Sequence, residues 1–172
     1  GELVMNRIAR VLKHRWLDET DTRRALDAAA LARIETRIAA SERLHSGEIR
    51  VCVEAGLPLS YLWRGATARE RAVTMFGKLR VWDTEANNGV LIYLLLAEHA
   101  IEIVADRGLT RQVPAGQWEQ IVAGMREEFR AGRFEPGLMR AIDAVESLLV
   151  QHFAQLPGAN NPNELPNTPH MM

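Results

Sequence analysis

Apolar residues recur along this chain at two spacings, one helical and one extended. Val4, Ile8, Val11 and Leu12 fall on one helical face within residues 3–15, with Arg7, Arg10, Lys13 and Arg15 on the rest, which predicts a short basic amphipathic helix. Asp18 to Asp21 supplies N-cap candidates for a second helix, whose stripe of Ala25, Leu31, Ile34 and Ile38 runs to about Leu44 before His45-Ser46-Gly47 stops it. In Glu48 to Glu54 the spacing changes: Ile49, Val51 and Val53 alternate, predicting a strand with one apolar face. Gly56 to Gly65, with Pro58, reads as a loop. Thr67-Ala68-Arg69-Glu70 then has capping-box spacing and opens a helix carried by Ala72, Val73, Phe76 and Leu79.

The unbroken apolar run Val90 to Leu96 predicts a strand buried on both faces. A strand, a helix and a second strand make a right-handed parallel crossover the expected topology. Glu98-His99 stands at hairpin spacing before the strand at 100–105, which is therefore expected to run antiparallel to its predecessor. Trp118, Ile121, Val122, Met125 and Phe129 predict a helix ended by Gly132, and Pro136 fits the first turn of a last helix bearing Leu138, Ile142, Val145, Leu149 and Phe153. The organisation expected is a basic helix at 1–17, one α/β domain at 18–156, and a mobile tail rich in Pro and Asn at 157–172.

A length of 172 residues suits one well-buried core. A formal charge of -1 offers no phosphate-tracking surface, so nucleic acid is not an expected partner. The single cysteine, Cys52, rules out an intrachain disulfide and a Cys-rich metal site, and its place inside a strand pattern points to packing. No apolar run approaches the roughly 20 residues that span a bilayer, and the N-terminus lacks the apolar core of a signal peptide; a cytoplasmic protein is expected.

Glycine-rich phosphate loops, Gly-x-Ser-x-Gly elbows and His-Glu-x-x-His motifs are missing, and the five histidines are scattered. Geometry offers more. The parallel strands starting near Glu48 and Val90 begin on the same edge, and the antiparallel strand ending near Asp106 returns to it. Glu48, Asp83, Glu85, Asn87, Asn88 and Asp106 are thereby expected to converge, a set of hard oxygens suited to Ca²⁺ or Mg²⁺. Asn88-Gly89 is also a turn signal that needs no ligand, and acids at strand ends are commonly just solvated. Arg107 suits an anion beside such a cation, or an ion pair with Glu85 or Asp83. Trp82 either walls this crevice or packs under the loop, and packing is the expectation. The basic helix at 3–15 reads either as a contact for a membrane surface or partner, or as a helix laid on the domain.

Ser46-Gly47-Glu48-Ile49-Arg50-Val51, Asn87-Asn88-Gly89-Val90-Leu91-Ile92, Ile101-Glu102-Ile103-Val104 and Phe129-Arg130-Ala131-Gly132-Arg133-Phe134, followed by Gly137-Leu138, occur in an order that resembles the TPM domain family over about residues 22–153. The resemblance implies a small mixed β-sheet flanked by helices on both faces, a three-layer α/β/α sandwich. It also implies an acidic crevice that binds divalent cations in some members. Two functions accompany the family: an acid phosphatase activity in some plant members, and assembly or repair of membrane protein complexes. Many members carry a signal peptide and an anchor, which this sequence does not display, and where a glycine-rich sequence often follows the third strand this chain has Ala105-Asp106-Arg107-Gly108. It looks like a cytoplasmic bacterial branch.

The leading expectation is a cation-binding accessory domain, with Asp83, Glu85, Asn87, Asn88 and Asp106 as ligands. It would serve a protein partner of a membrane-associated complex, with peripheral membrane contact through residues 3–15. The alternative is a metal-dependent phosphatase in which Arg107 stabilises phosphoryl charge and Glu48 is the base. A structural domain without a ligand is the third.

Overall fold

The computed structural model describes residues 2–15, 24–154 and 169–171. In chain order these form α1 (Glu2–Arg15), α2 (Ala28–Glu42), β1 (Glu48–Glu54), α3 (Leu59–Trp63), α4 (Ala68–Lys78), β2 (Gly89–Leu95), β3 (Ala100–Ala105), α5 (Arg107–Thr110), α6 (Ala115–Arg130), α7 (Phe134–Phe153) and β4 (His170–Met171). The sheet order is β3-β2-β1-β4. β1 and β2 pair in parallel from Glu48↔Gly89 to Glu54↔Leu95, and β3 runs antiparallel to β2, as the strand pattern predicts.

Helices cover both faces of this mixed sheet, so the α/β sandwich stands. On one face Ile49, Val51 and Val53 of β1 and Val90, Ile92 and Leu94 of β2 pack with Ile34, Ile38, Phe129, Leu138 and Val145 from α2, α6 and α7. On the other, Cys52, Leu91, Tyr93 and Leu95 meet Leu62, Ala72 and Met75 from α3 and α4. Alternation within each strand sends neighbouring residues to opposite cores. Every residue of β1 and β2 is buried.

Local chemistry explains most helix starts. Thr67 Oγ1 accepts the Glu70 amide at 3.1 Å, the cap its sequence predicts. The Asp18–Asp21 signal lies outside the described residues; α2 as described is capped by Asp27, whose Oδ1 accepts the Ala30 amide at 2.8 Å. Three elements depart from expectation. Within the 56–65 loop, Leu59–Trp63 forms a helical turn following Pro58, whose ring fixes φ suitably for a helix entry. Asp106 caps the four-residue α5. Within the expected mobile tail 157–172, His170 and Met171 pair in parallel with Cys52 and Val53, which gives β1 a second neighbour and covers its edge; residues 157–168 lie outside the described residues.

Candidate functional site

The loop between α4 and β2 and the turn after β3 do come together at the start of β2. Gly108 donates its amide to the Asn87 carbonyl at 2.8 Å, and Asp106 donates its amide to the Gly89 carbonyl at 2.9 Å. A Cβ on Gly108 would stand 2.5 Å from the carbonyl oxygens of Ala86 and Asn87, so a bare backbone is required for this crossing.

The acid and amide side chains do not share the space that the backbones share. Glu48 is fully buried and faces Glu42. Asp83 is exposed and pairs with Arg80 at 2.8 Å, and Arg80 also lies over the Trp82 ring. Trp82 is itself 48% exposed, so it stacks on the surface where packing under the loop was expected. Glu85 points to solvent. Asn88 is buried and donates from Nδ2 to Ser46 Oγ at 3.1 Å, while its amide donates to Thr84 Oγ1. Arg107 is exposed and makes no ion pair among the described residues. Asn87 takes a positive φ of 53°, a turn conformation suited to asparagine.

Asp106 remains as the hard donor of this region. Its Oδ1 accepts the Arg107 amide at 2.7 Å, and its Oδ2 is buried without a hydrogen-bond partner among the described residues. That single oxygen suits Ca²⁺ or Mg²⁺. Among the described residues, however, no three His, Cys, Asp or Glu side chains are grouped so as to hold a metal ion. Among the described residues Asp106 therefore stands as one carboxylate, and the expected cage of acids does not form. Glu48 is buried against Glu42, while the turn leaves Asp83 and Glu85 exposed.

Behind the loop lies a buried polar group. The Glu42 carboxyl is pushed up to about 9, first by burial and then by the charge and hydrogen bond of Glu48, so the two acids share a proton at neutral pH. Ser41 Oγ lies 2.8 Å from His45 Nε2, both residues being fully buried, and burial lowers His45 to about 4. A serine beside a histidine suggests a nucleophile and base, but no substrate reaches a pair with zero exposure. The Cys52 thiol is likewise buried and pushed up to about 12 by burial, which makes it inert.

Two surface features were hidden from sequence reasoning. The first is α1. Its His14 is 2% exposed, with Nδ1 accepting the Leu57 amide at 2.9 Å and Nε2 lying 3.2 Å from Glu98 Oε1. Nδ1 as acceptor assigns the ring proton to Nε2, which donates to Glu98. Arg10 Nε reaches the same Glu98 oxygen at 2.6 Å. These partners hold the Glu98 carboxyl down at about 2, His14 contributing most. Gly56 admits the helix, since a Cβ there would stand 2.6 Å from the His14 carbonyl. The helix is thus laid on the domain by Arg10 and His14 with Val11 packed between them against the core, and Val4, Met5, Ile8 and Leu12 face solvent. Leu59 and Trp63 of the adjoining α3 are exposed as well. The second feature is a cavity of about 460 Å³ beside β3, walled by Val113, Trp118 and Val122 and rimmed by Arg69, Glu102 and Arg126.

Comparison with known proteins adds a family to this geometry. Residues 20–148 match the family described as TPM domain. Among solved structures, the NMR structure of the BA42 protein from the psychrophilic bacterium Bizionia argentinensis is similar, with 28% identity and a TM-score of 0.74 over 86% of this chain and 95% of that one. The solution NMR structure of the N-terminal domain of a P. gingivalis protein shares the fold at 21% identity, with a TM-score of 0.61 over 76% of this chain and 82% of that one. No curated protein matches the chain.

Proposed function

The chain belongs to the TPM domain family, and from that premise we propose that it is a non-enzymatic accessory module that seats on an anionic membrane surface, beside the complexes it serves, through the outer face of α1. The observation that carries this reading is the orientation of that helix. Arg10 and His14 are spent on Glu98 and Leu57, which leaves the Val4, Met5, Ile8 and Leu12 stripe outward, with Lys13 exposed and Arg7 half-buried beside it. An apolar stripe with basic neighbours lies in the headgroup region of anionic bilayers, where each cation adds about 1 kcal/mol of attraction. No helix among the described residues is long and apolar enough to cross a membrane, so such contact would be peripheral.

The test is co-sedimentation of the intact chain with vesicles of neutral lipid and of mixed neutral and anionic lipid. Binding to the anionic vesicles, weakened by salt and lost in the double substitution Ile8→Glu with Leu12→Glu, is the expected result. Equal recovery with and without the substitutions would remove the proposal.

The phosphatase alternative is disfavoured by the same geometry. Glu48, the expected base, is buried against Glu42, and Arg107 stands exposed in a turn that offers it no ion pair among the described residues. Cation binding is a second reading, favoured by the buried Oδ2 of Asp106, which has no hydrogen-bond partner among the described residues. Ca²⁺ and Mg²⁺ titrations followed by amide NMR should shift residues 87–89 and 106–108 in the natural chain and leave them still in Asp106→Asn; shifts that persist in the variant would exclude Asp106 as the ligand.

A further inference from the structure

The outer edge of the sheet is β3, and its hydrogen-bonding pattern can be read from the register. Val90 pairs with Ala105, and one residue further the Asp106 amide donates to the Gly89 carbonyl. Antiparallel ladders alternate, so Ala100, Glu102 and Val104 turn their amides and carbonyls toward β2, while Ile101, Ile103 and Ala105 turn theirs to the free edge. The Ile103 carbonyl accepts Arg69 Nη1 at 2.6 Å, as this alternation requires. That partner is a side chain of α4; among the described residues no main-chain group bonds to the outward groups of Ile101, Ile103 or Ala105.

The cavity of about 460 Å³ opens over this edge, between the helical layers on the two faces of the sheet. Ile103 and Ala105 contribute to its lining, with Val113, Trp118 and Val122 opposite. Trp118 Nε1 is buried there without an acceptor among the described residues. A buried indole N–H ordinarily finds a partner. The cavity thus combines edge groups without a main-chain partner, an apolar wall and one orphan donor.

We propose that the β3 edge is a strand-addition site for an extended peptide, which pairs with Ile103 and Ala105 and places an apolar side chain against Val113, Trp118 and Val122. Main-chain pairing supplies affinity in such sites and the pocket supplies selectivity. A strand also brings carbonyl oxygens to the edge, the chemistry the Trp118 N–H lacks. Small anions are a poorer match, because the rim arginines face acids of the same rim: Arg69 lies 3.6 Å from Glu102, which also feels Arg126. The proposal uses neither α1 nor Asp106, so its failure leaves the membrane reading intact.

The probe is a phage-displayed library of random peptides, panned on the intact chain, with enriched peptides then synthesised and measured by fluorescence anisotropy. Enriched sequences should alternate β-branched and polar residues around an apolar anchor. Their affinity should fall about tenfold or more in Ala105→Pro, which removes one outward amide while sparing the ladder to β2, and similarly in Ala115→Trp, which fills the pocket from an exposed helix position. If Ala105→Pro does not fold, Ala115→Trp carries the test. The proposal fails if nothing enriches, or if enriched peptides bind both variants as tightly as the natural chain. Sedimentation that shows a dimer dissociated by Ala105→Pro would also overturn it, by assigning the edge to a second copy.

Discussion

The two faces of the sheet are packed by different chemistry. Beneath α2, α6 and α7 the middle of the core is apolar, with Ile49, Val51, Ile92, Phe129 and Leu138 all at zero exposure, and the buried polar residues Ser41 and Glu42 stand at the C-terminal end of α2. Beneath α3 and α4 an ion pair is buried in the middle of the packing. Arg71 donates to both oxygens of Glu54 at 2.8 and 2.9 Å, Tyr93 donates its hydroxyl to Oε1 at 2.7 Å, and the Tyr61 ring covers the guanidinium 5.0 Å away. The Arg71 pKa is raised by its bond to Glu54, and burial first, then Glu54, raises the Tyr93 hydroxyl. The difference teaches what each side contributes. Apolar contact is non-directional and secures burial alone. A bidentate pair at the end of β1 admits only one position of α4 along the strand. The polar side also carries α1, again through directed bonds.

The largest effects should come from removing one member of each core. Phe129→Ala is expected to cost about 3–5 kcal/mol in urea unfolding, as a cavity in close packing. Glu54→Ala should cost a similar ~3–5 kcal/mol, because it leaves the Arg71 charge buried and unpaired. The comparison sharpens in the double variant Glu54→Leu with Arg71→Met, which should recover most of that loss; if it stays as unstable as the single change, the cluster is not an ion pair flanked by tolerant packing.

A smaller effect is expected at α1. His14→Ala removes the acceptor for the Leu57 amide and a donor to Glu98, at about 1–3 kcal/mol. Amide exchange should rise across residues 2–15 and stay unchanged in β1 and β2. Uniform acceleration over the whole chain would show that α1 is part of the global unfolding unit.

Acid should loosen the same helix. Glu98 is depressed from 4.5 to about 2, so its contribution is present above pH 4.5 and is lost as pH falls toward 2. Exchange in α1 should climb through that window, and Glu98→Gln should flatten the climb. Glu42 has the opposite sign. Raised from 4.5 to about 9, it contributes most below pH 4.5, and the contribution fades as pH rises through 9. Stability should therefore decline between pH 4.5 and 9, and Glu42→Gln should remove that decline. An unchanged slope through that window in the variant would show that the shared proton lies elsewhere.

Much of the fold was legible in the residues. The period-2 pattern of Ile49, Val51 and Val53, the apolar run at 90–95 and the Thr67 cap all sit where the local pattern puts them. The parallel crossover and antiparallel return followed from the lengths of the connections. The candidate site was less legible. Glu48 is buried against Glu42, a partner at a helix end that the strand pattern does not mention. Asp83 is taken by Arg80 three residues before it, a pair visible in the sequence once the turn is known. Of the apolar stripe of α1 only Val11 packs on the domain, beside the polar side chains of Arg10 and His14, while Val4, Ile8 and Leu12 are exposed.

The sequence by itself determined the elements, their order and the apolar faces of the strands, because propensity and periodicity act within a few residues and leave a local record. Tertiary structure decided which polar groups would be spent on one another: His14 with Glu98 across 84 positions, Arg71 with Glu54 across 17, Arg69 with the edge carbonyl of Ile103 across 34. Such pairings depend on where the chain returns in space, and a side chain's charge or hydrogen-bonding capacity carries no mark of the partner it will meet. The outward face of α1 and the open edge of β3 are what those pairings left uncovered.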